Sequence, residues 1–169
     1  MRISARYAYP APPAEVANLF ASKGFALRAA EASQAMASEA MVAGSAAGGF
    51  TVTVRRTMAA DQLPARVRGL LPGGLEIRQA VAWEPPEPDG SRVASVAGEI
   101  PGAPVHMAGT AELTPTAQGS QMDFQADVKA AVPLLGHSIE EAAVPAIKRV
   151  LDAEHAQALK ELANPALTG

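Results

Sequence analysis

The side chains that most often do chemistry in proteins are either absent from this chain or poorly spaced for it. The three histidines are His106, His137 and His155, and there is no cysteine. Helical zinc sites place two histidines four residues apart, and thiolate sites need cysteine, so neither kind of metal centre is indicated. We expect no metal and no cofactor, and we interpret the histidines as surface or partly buried residues.

Motifs for nucleophilic, phosphate-binding and paired-acid chemistry are also missing. No serine stands in a GxSxG context. Residues 44–49 are rich in glycine, but no lysine and helix follow them, so a hairpin turn is favoured over a phosphate loop. Glu140 and Glu141 are sequence neighbours in the first turn of a predicted helix, where adjacent side chains do not face each other. We therefore name no catalytic residue.

Charge and composition exclude further classes of function. The net charge is −3, and no basic cluster indicates binding to nucleic acid or to an anionic membrane surface. No apolar run approaches the ~20 residues that cross a bilayer, and a cytoplasmic protein is expected. Apolar residues make up 49% of the chain but aromatic residues only 4%. A core with so few large side chains must either pack its backbones closely or leave space.

The elements that would position a site are mostly strands. Apolar and polar residues alternate over segments of the length of strands with one covered face. The predicted strands span residues 2–9, 37–42, 50–55, 75–83, 92–100, 105–113 and 120–129. Two short helices are predicted at 14–20 and 25–34, with Gly24 ending the first, and a helical turn at 65–71. Short turns between consecutive strands favour antiparallel pairing.

A long helix is predicted near the C-terminus, over residues 137–163. Ser138 is a plausible N-cap, and Pro145 is expected to kink the helix unless the helix proper begins near it. One stripe along the helix is apolar and rich in alanine; it contains Ile139, Ala143, Ile147, Val150 or Leu151, Ala158 and Leu162. This helix is the one predicted element large enough to cover the apolar face of the sheet.

Several short motifs follow one another in an order typical of one group of proteins. They are Asp61-Gln62-Leu63-Pro64, Trp83-Glu84, Pro101-Gly102-Ala103-Pro104, the Gly109 to Leu113 strand, and Val132-Pro133-Leu134-Leu135-Gly136 followed by Ile139-Glu140. In this order the chain resembles the START-like superfamily, also called SRPBCC or Bet v 1-like. More narrowly, it resembles the bacterial family catalogued as domain of unknown function 2505. Pro145 and the alanine-rich region around Gly44 are where it departs most.

The resemblance implies an α+β helix-grip fold in a single domain over residues 1–169. In that fold a curved antiparallel sheet of about six to seven strands wraps around the C-terminal helix. The superfamily implies binding of hydrophobic or amphipathic small molecules, and in some members enzymes of the cyclase or dehydratase sort. The narrower family carries no known activity.

The predicted site is the space between the sheet and the long helix. The strand residues expected to point inward are Phe50, Val52, Val54, Ile77, Val81, Trp83, Met107, Phe124 and Val128, and Ile147, Val150 and Leu151 should face them from the helix. Polar groups for this space would come from Arg56, Gln79, Glu99 and Gln125, depending on strand register. A slip of one residue would exchange every inward residue for its neighbour. A completely filled core is the alternative to a cavity.

Three functions follow from this prediction. The first is a binding module for a hydrophobic small molecule or lipid-like ligand. The second is an enzyme, for which Glu99, Asp127 and His106 are the reachable acids and bases. The third is a protein-interaction domain without a ligand, and a homodimer is left open.

Overall fold

One seven-stranded antiparallel sheet and a long C-terminal helix dominate the computed structural model, which describes residues 1–63, 65–69 and 71–168. The strands are β1 (Arg2–Tyr9), β2 (Ala37–Gly44), β3 (Phe50–Met58), β4 (Leu75–Trp83), β5 (Arg92–Glu99), β6 (Val105–Thr116) and β7 (Gly119–Ala130). The helices are α1 (Pro13–Phe20), α2 (Lys23–Ala32), α3 (Ala65–Arg68) and α4 (Gly136–Ala163), with 3₁₀ turns at Ala60–Gln62 and Pro165–Thr168. The predicted α+β helix-grip architecture is confirmed.

The strands are ordered β1-β7-β6-β5-β4-β3-β2 across the sheet. Neighbours from β2 to β7 are consecutive in the chain, as short turns require, whereas β1 pairs with the last strand. Because β1 and β2 therefore lie on opposite edges, the chain between them must cross the sheet, and α1 and α2 make that crossing. Helix α1 starts with Pro13, and Ser22 caps α2 through its hydroxyl, which accepts from the Phe25 amide at 3.2 Å.

The strand register places all nine apolar strand residues that were predicted to point inward on the concave face of the sheet. Phe50 pairs with Trp83, Val52 with Val81 and Arg56 with Ile77. Residues two apart along a strand share a face, so these pairs fix the facing of the whole of β3 and β4. The one-residue slip that would have reversed the assignments does not occur.

The two ends of the concave face differ in how they are filled, and we name them by that difference. The closed end is where Tyr9, Phe50, Trp83, Arg92 and Leu113 lie, all of them buried. The open end is the opposite end, where β3 and β4 meet through Met58 and Leu75 and where β5, β6 and β7 reach Glu99, Val105 and Ala130. Helix α4 starts beside Ala130 at the open end and runs towards the closed end.

Helix α4 differs from its predicted form at its start. It begins at Gly136 after Leu135, without a side-chain cap, so the predicted Ser138 N-cap is wrong. Its first turn is held instead from the sheet, because Glu140 Oε1 accepts the Ala130 amide at 3.0 Å. The helix also continues through Pro145, which is exposed. Solvent can satisfy the carbonyl that a proline leaves unpaired on an exposed face.

Two smaller expectations also change. The predicted second helix, 25–34, runs from Lys23 to Ala32, and Gly24 lies inside it rather than ending the first helix. The helical turn predicted at 65–71 spans Ala65–Arg68. Pro64 of the Asp61-to-Pro64 motif and Leu70 lie outside the described residues.

Candidate functional site

A cavity of about 630 Å³ lies between the open end of the sheet and the first half of α4. We call it the wide chamber. Ligand pockets in proteins are typically ~300–1,000 Å³ and mostly apolar, and the wide chamber falls within that range. Its apolar wall is formed by Met58, Leu63, Leu75, Ile77, Ile100, Val105, Met107, Phe124, Val128, Ala143, Ala146, Ile147, Val150 and Leu151.

The space exists because small or missing side chains meet at this level. Gly98 of β5 contributes no side chain to the wall, and α4 presents Ala143 and Ala146. Along α4, the buried residues are Leu151, Ala158 and Glu161, all in its second half. The first half therefore faces the sheet across the wide chamber, and the second half packs against protein.

Two contacts hold the middle and the end of α4 in this position. Tyr7 Oη donates to Oδ1 of Asp152 at 2.8 Å, which joins α4 to β1. Arg28 of α2 donates to both carboxylate oxygens of the fully buried Glu161, at 2.6 and 2.9 Å. Together with the bond between Glu140 and the Ala130 amide, these contacts hold α4 to the rest of the fold on both sides of the wide chamber.

A second, much smaller cavity of about 60 Å³ adjoins the first towards the closed end. We call it the narrow chamber. The two chambers share four wall residues, which are Arg56, Gln79, Phe124 and Leu151. Glu154 lines the narrow chamber and not the wide one. Two polar side chains, Arg56 and Gln79, therefore lie where the two chambers meet.

Arg56 is the most unusual of these groups. Its residue surface is only 4% exposed, yet it forms no ion pair with any carboxylate among the described residues. Its two hydrogen bonds are long, 3.5 Å to Ser33 Oγ and 3.4 Å to Gln79 Oε1, and Nε has no acceptor in the described part of the chain. Burial lowers the pKa of the guanidinium, and the charge of Glu154 partly offsets that effect.

Glu154 faces Arg56 from the helix without touching it. Burial raises the pKa of its carboxyl, and the positive charge of Arg56 opposes the rise. Glu154 also contributes, after burial itself, to the raised pKa of the nearby Tyr9 phenol. The charges of Arg56 and Glu154 thus interact across the junction of the chambers, although the two side chains form no direct bond.

Comparison with known sequences decides the family. The sequence profile of the protein family of unknown function DUF2505 matches residues 4–161. This chain belongs to the DUF2505 family. An uncharacterised protein of Mycobacterium tuberculosis, Rv0481c, is 34% identical over 95 residues, and its counterpart in Mycobacterium bovis, Mb0491c, matches equally. The matched region is 55% of this chain, and it spans about half the length of those curated relatives.

Solved structures share the fold of this DUF2505 chain at low sequence identity. Zhui aromatase/cyclase from a Streptomyces species has a TM-score of 0.59 at 15% identity, covering 98% of this chain and 95% of its own. TTHA0849 from Thermus thermophilus has a TM-score of 0.59 at 13% identity, covering 95% and 98%. Ara h 8.0201 has a TM-score of 0.55 at 12% identity, also covering 95% and 98%. The fold is therefore the START-like helix-grip fold.

The residues predicted to line the cavity divide between the two chambers. Seven border the wide chamber: Ile77, Met107, Phe124, Val128, Ile147, Val150 and Leu151. Val52, Val54, Val81 and Trp83 border the narrow chamber, together with Phe124 and Leu151. Phe50 borders neither, because it packs in the closed end against Trp83, with ring centroids 6.3 Å apart.

The predicted polar groups divide in a similar way. Arg56 and Gln79 face both chambers, as the inward register required. Glu99 borders the wide chamber as an exposed residue, paired with Arg78 at 3.7 Å. Gln125 does not face the interior, because it lies on the outer face of β7 between the inward Phe124 and Ala126.

The acids and bases predicted for an enzyme do not gather in the interior. Besides Glu99, Asp127 pairs with Arg2 on the outer face at 3.2 Å, and His106 is exposed at the border of the wide chamber. The sequence reasoning missed Glu154. The helical spacing could have predicted that Glu154 faces inward, because it follows Val150 by four residues and Ile147 by seven, on the same helix face.

The remaining histidines have other surroundings. His137 lies 3.2 Å from Glu141 on the exposed first turn of α4, and His155 approaches the Ala8 carbonyl at 2.8 Å beside the Tyr7 ring. Over the described residues, no group of three or more histidines and acids could hold a metal ion. Within the same stretches of chain, no helix is long and apolar enough to cross a membrane.

Proposed function

We propose that this DUF2505 chain binds a hydrophobic or amphipathic small molecule in the wide chamber. The single observation that carries the proposal is a cavity of about 630 Å³ with a largely aliphatic wall between sheet and helix. Filling such a space with a ligand's apolar surface is favourable by roughly 25 cal/mol per Å² removed from water. The anchored position of α4 supports the same proposal, because a largely preformed site loses little free energy to ordering.

The uncharged dye N-phenyl-1-naphthylamine tests the proposal, because its fluorescence rises when it leaves water for an apolar site. We expect saturable binding to the wild-type chain. Replacing Ile147 and Val150 together by tryptophan should weaken this binding at least about tenfold, since both side chains project into the wide chamber.

A matched double variant controls for the added tryptophans. Lys148 lies on α4, as Ile147 and Val150 do, and Val93 lies on β5; both are exposed and lie outside both chambers. Replacing these two by tryptophan should leave the dye's dissociation constant within about twofold of wild type. Absence of saturable dye binding to the wild type, or equal weakening by both double variants, contradicts the proposal.

A cyclase- or dehydratase-like enzyme is a second candidate, favoured by one observation. Such chemistry needs a buried acid near the bound molecule, and Glu154 supplies a carboxyl with a raised pKa at the junction of the chambers. Native mass spectrometry of a bound ligand, before and after prolonged incubation, separates the two candidates. A dehydratase returns the ligand lighter by one water, and a cyclase that loses no water returns an isomer of equal mass with a different fragmentation pattern. A binding module returns the ligand with both mass and fragmentation pattern unchanged.

A further inference from the structure

The junction of the two chambers holds a cation, Arg56, that has no ion-pair partner among the described residues. A buried charge is costly unless it is paired or fully hydrogen-bonded. Arg56 is 96% buried by its 4% exposure, and its contacts are two long hydrogen bonds to neutral side chains. Its Nε finds no acceptor in the described parts of the chain.

Arg28 is an arginine of the same molecule whose guanidinium is paired with a carboxylate, and it serves as a comparison for Arg56. Its guanidinium meets the Glu161 carboxylate through Nε and Nη2, at 2.6 and 2.9 Å. This is the planar two-point geometry in which arginine binds carboxylates most strongly. Nε of Arg56, which would form one half of such a pair, is free of any described partner.

Resting on the proposed function, we infer that Arg56 binds the carboxylate head group of an amphipathic ligand whose apolar tail fills the wide chamber. Gln79, which touches Arg56 and lines both chambers, is placed to donate a further hydrogen bond to the head group through its amide nitrogen. The ligand class is therefore a linear or compact monocarboxylate with a substantial hydrocarbon portion.

The relative sizes of the chambers fix the direction of the ligand. About 60 Å³ beside Arg56 and Glu154 admits a small head group but not a hydrocarbon tail. About 630 Å³ on the other side of Arg56 admits the tail. The carboxylate then lies deepest, and the tail extends towards the exposed border marked by His106 and Arg149.

Glu154 competes with the carboxylate of the ligand for the guanidinium of Arg56. Its charge already acts on Arg56 at a distance, so an entering carboxylate must share the guanidinium with it. Removing the negative charge of Glu154 should therefore leave the carboxylate ligand bound as tightly as before, or more tightly. Removing the positive charge of Arg56 should have the opposite effect.

Decanoate and 1-decanol are matched probes for this head-group site. They share a hydrocarbon chain and differ in the polar end, and each is measured by displacement of N-phenyl-1-naphthylamine. Decanoate should bind the wild type more tightly than decanol. Arg56→Met should weaken decanoate by about tenfold to a hundredfold, the loss of a charge-assisted contact, and change decanol by less than about threefold.

Two further variants make the result specific. Glu154→Gln, at the same junction, should keep or raise decanoate affinity. Arg56→Lys, which retains the charge but not the planar fork, should fall between wild type and Arg56→Met. Unchanged binding of the dye to Arg56→Met shows that the chamber is intact in that variant.

The outcomes separate this inference from the proposed function. Binding of dye and decanol without any preference for decanoate overturns the head-group site and leaves the proposed function standing. The site is also overturned if Arg56→Met weakens decanoate and decanol alike, or if Glu154→Gln weakens decanoate as much as Arg56→Met does. No binding of dye, decanol or decanoate to the wild type overturns the proposed function itself.

Discussion

The closed end and the open end of the sheet are built from the same seven strands, yet one is filled and the other is hollow. Four of the aromatic residues form a chain of ring contacts in and beside the closed end, from Tyr9 to Phe20 to Trp83 to Phe50. Phe25 stacks on Phe20 there as well. The apolar wall of the open end is mostly aliphatic, with two methionines and with Phe124 as an aromatic member. In a chain with so few aromatic residues, gathering them at one end leaves too little side-chain volume to fill the other.

Each end contains a buried arginine, and the two arginines differ in their hydrogen bonds. At the closed end, Arg92 is 2% exposed and donates from Nη2 to the backbone carbonyls of Ala46 and Gly48, at 2.7 and 2.6 Å. It also lies over the Phe50 ring at 5.4 Å. These contacts fasten the β2–β3 hairpin. Arg56 has no such bonds to backbone carbonyls, although Nε and Nη1 of Arg92, like Nε of Arg56, have no partner among the described residues. The closed end therefore uses its arginine to hold a hairpin, whereas we assign the arginine of the open end to a ligand.

Truncating one leucine at each end gives the largest expected contrast. Leu113 is fully buried at the closed end, so Leu113→Ala should lower the free energy of unfolding by about 2–5 kcal/mol. Leu75 is half-buried beside the wide chamber, so Leu75→Ala should cost less than about 1.5 kcal/mol. Urea unfolding measures both, and equal losses would erase the distinction between the two ends.

Replacing each buried arginine by methionine sharpens the comparison further. Arg92→Met leaves two hairpin carbonyls without their donor and should destabilise the fold by about 1–3 kcal/mol. Arg56→Met removes a buried charge without an ion pair among the described residues and should be neutral or stabilising. Thermal and urea unfolding decide between these expectations, and a large loss of stability in Arg56→Met would assign that residue a structural role.

Two glutamates of α4 should give the smallest effects and opposite dependences on pH. Hydrogen bonds from Arg28 hold the pKa of Glu161 below its ordinary value of 4.5, whereas burial raises the pKa of Glu154. The contribution of Glu161 is therefore present above pH 4.5 and is lost as pH falls through its lowered pKa. Ionisation of Glu154 instead reduces stability as pH rises from 4.5 through its raised pKa.

Glutamine variants measure this contrast directly in urea unfolding at several pH values. Glu161→Gln should be less stable than wild type by about 1–2 kcal/mol at neutral pH, with the difference shrinking in acid. Glu154→Gln should gain on wild type as pH rises above 4.5, because burial makes ionisation of the wild-type carboxyl unfavourable and the charge of Arg56 only partly offsets that cost. Parallel pH profiles for the two variants would show that both glutamates have the same environment.

The sequence predicted the facing of the strand residues well, because alternation along a strand is a local property. Val52, Ile77, Met107 and Val128 all lie on the concave face as their spacing required. The start of α4 was harder to predict, because a contact with β7 outweighs a good local cap. Glu140 bonds to the Ala130 amide, and the helix begins two residues before Ser138.

Phe50 and Glu154 show the limit of that reasoning within the candidate site. Both lie on faces that the sequence periodicity identifies as inward. Periodicity does not say that Phe50 meets Trp83 and Arg92 instead of a cavity, nor that Glu154 ends near Arg56, which lies nearly a hundred residues earlier in the chain.

The sequence alone determined the order of the strands and of the long helix, the antiparallel pairing of consecutive strands and the face on which the apolar strand residues lie, since these follow from local spacing and short connections. Only the tertiary structure decided where along that face space remains and which buried charges stay unpaired. The free volume at any level is what is left after side chains from β3 to β7, α2 and α4 have been placed together. That remainder depends on segments far apart in the chain, and no local pattern encodes it.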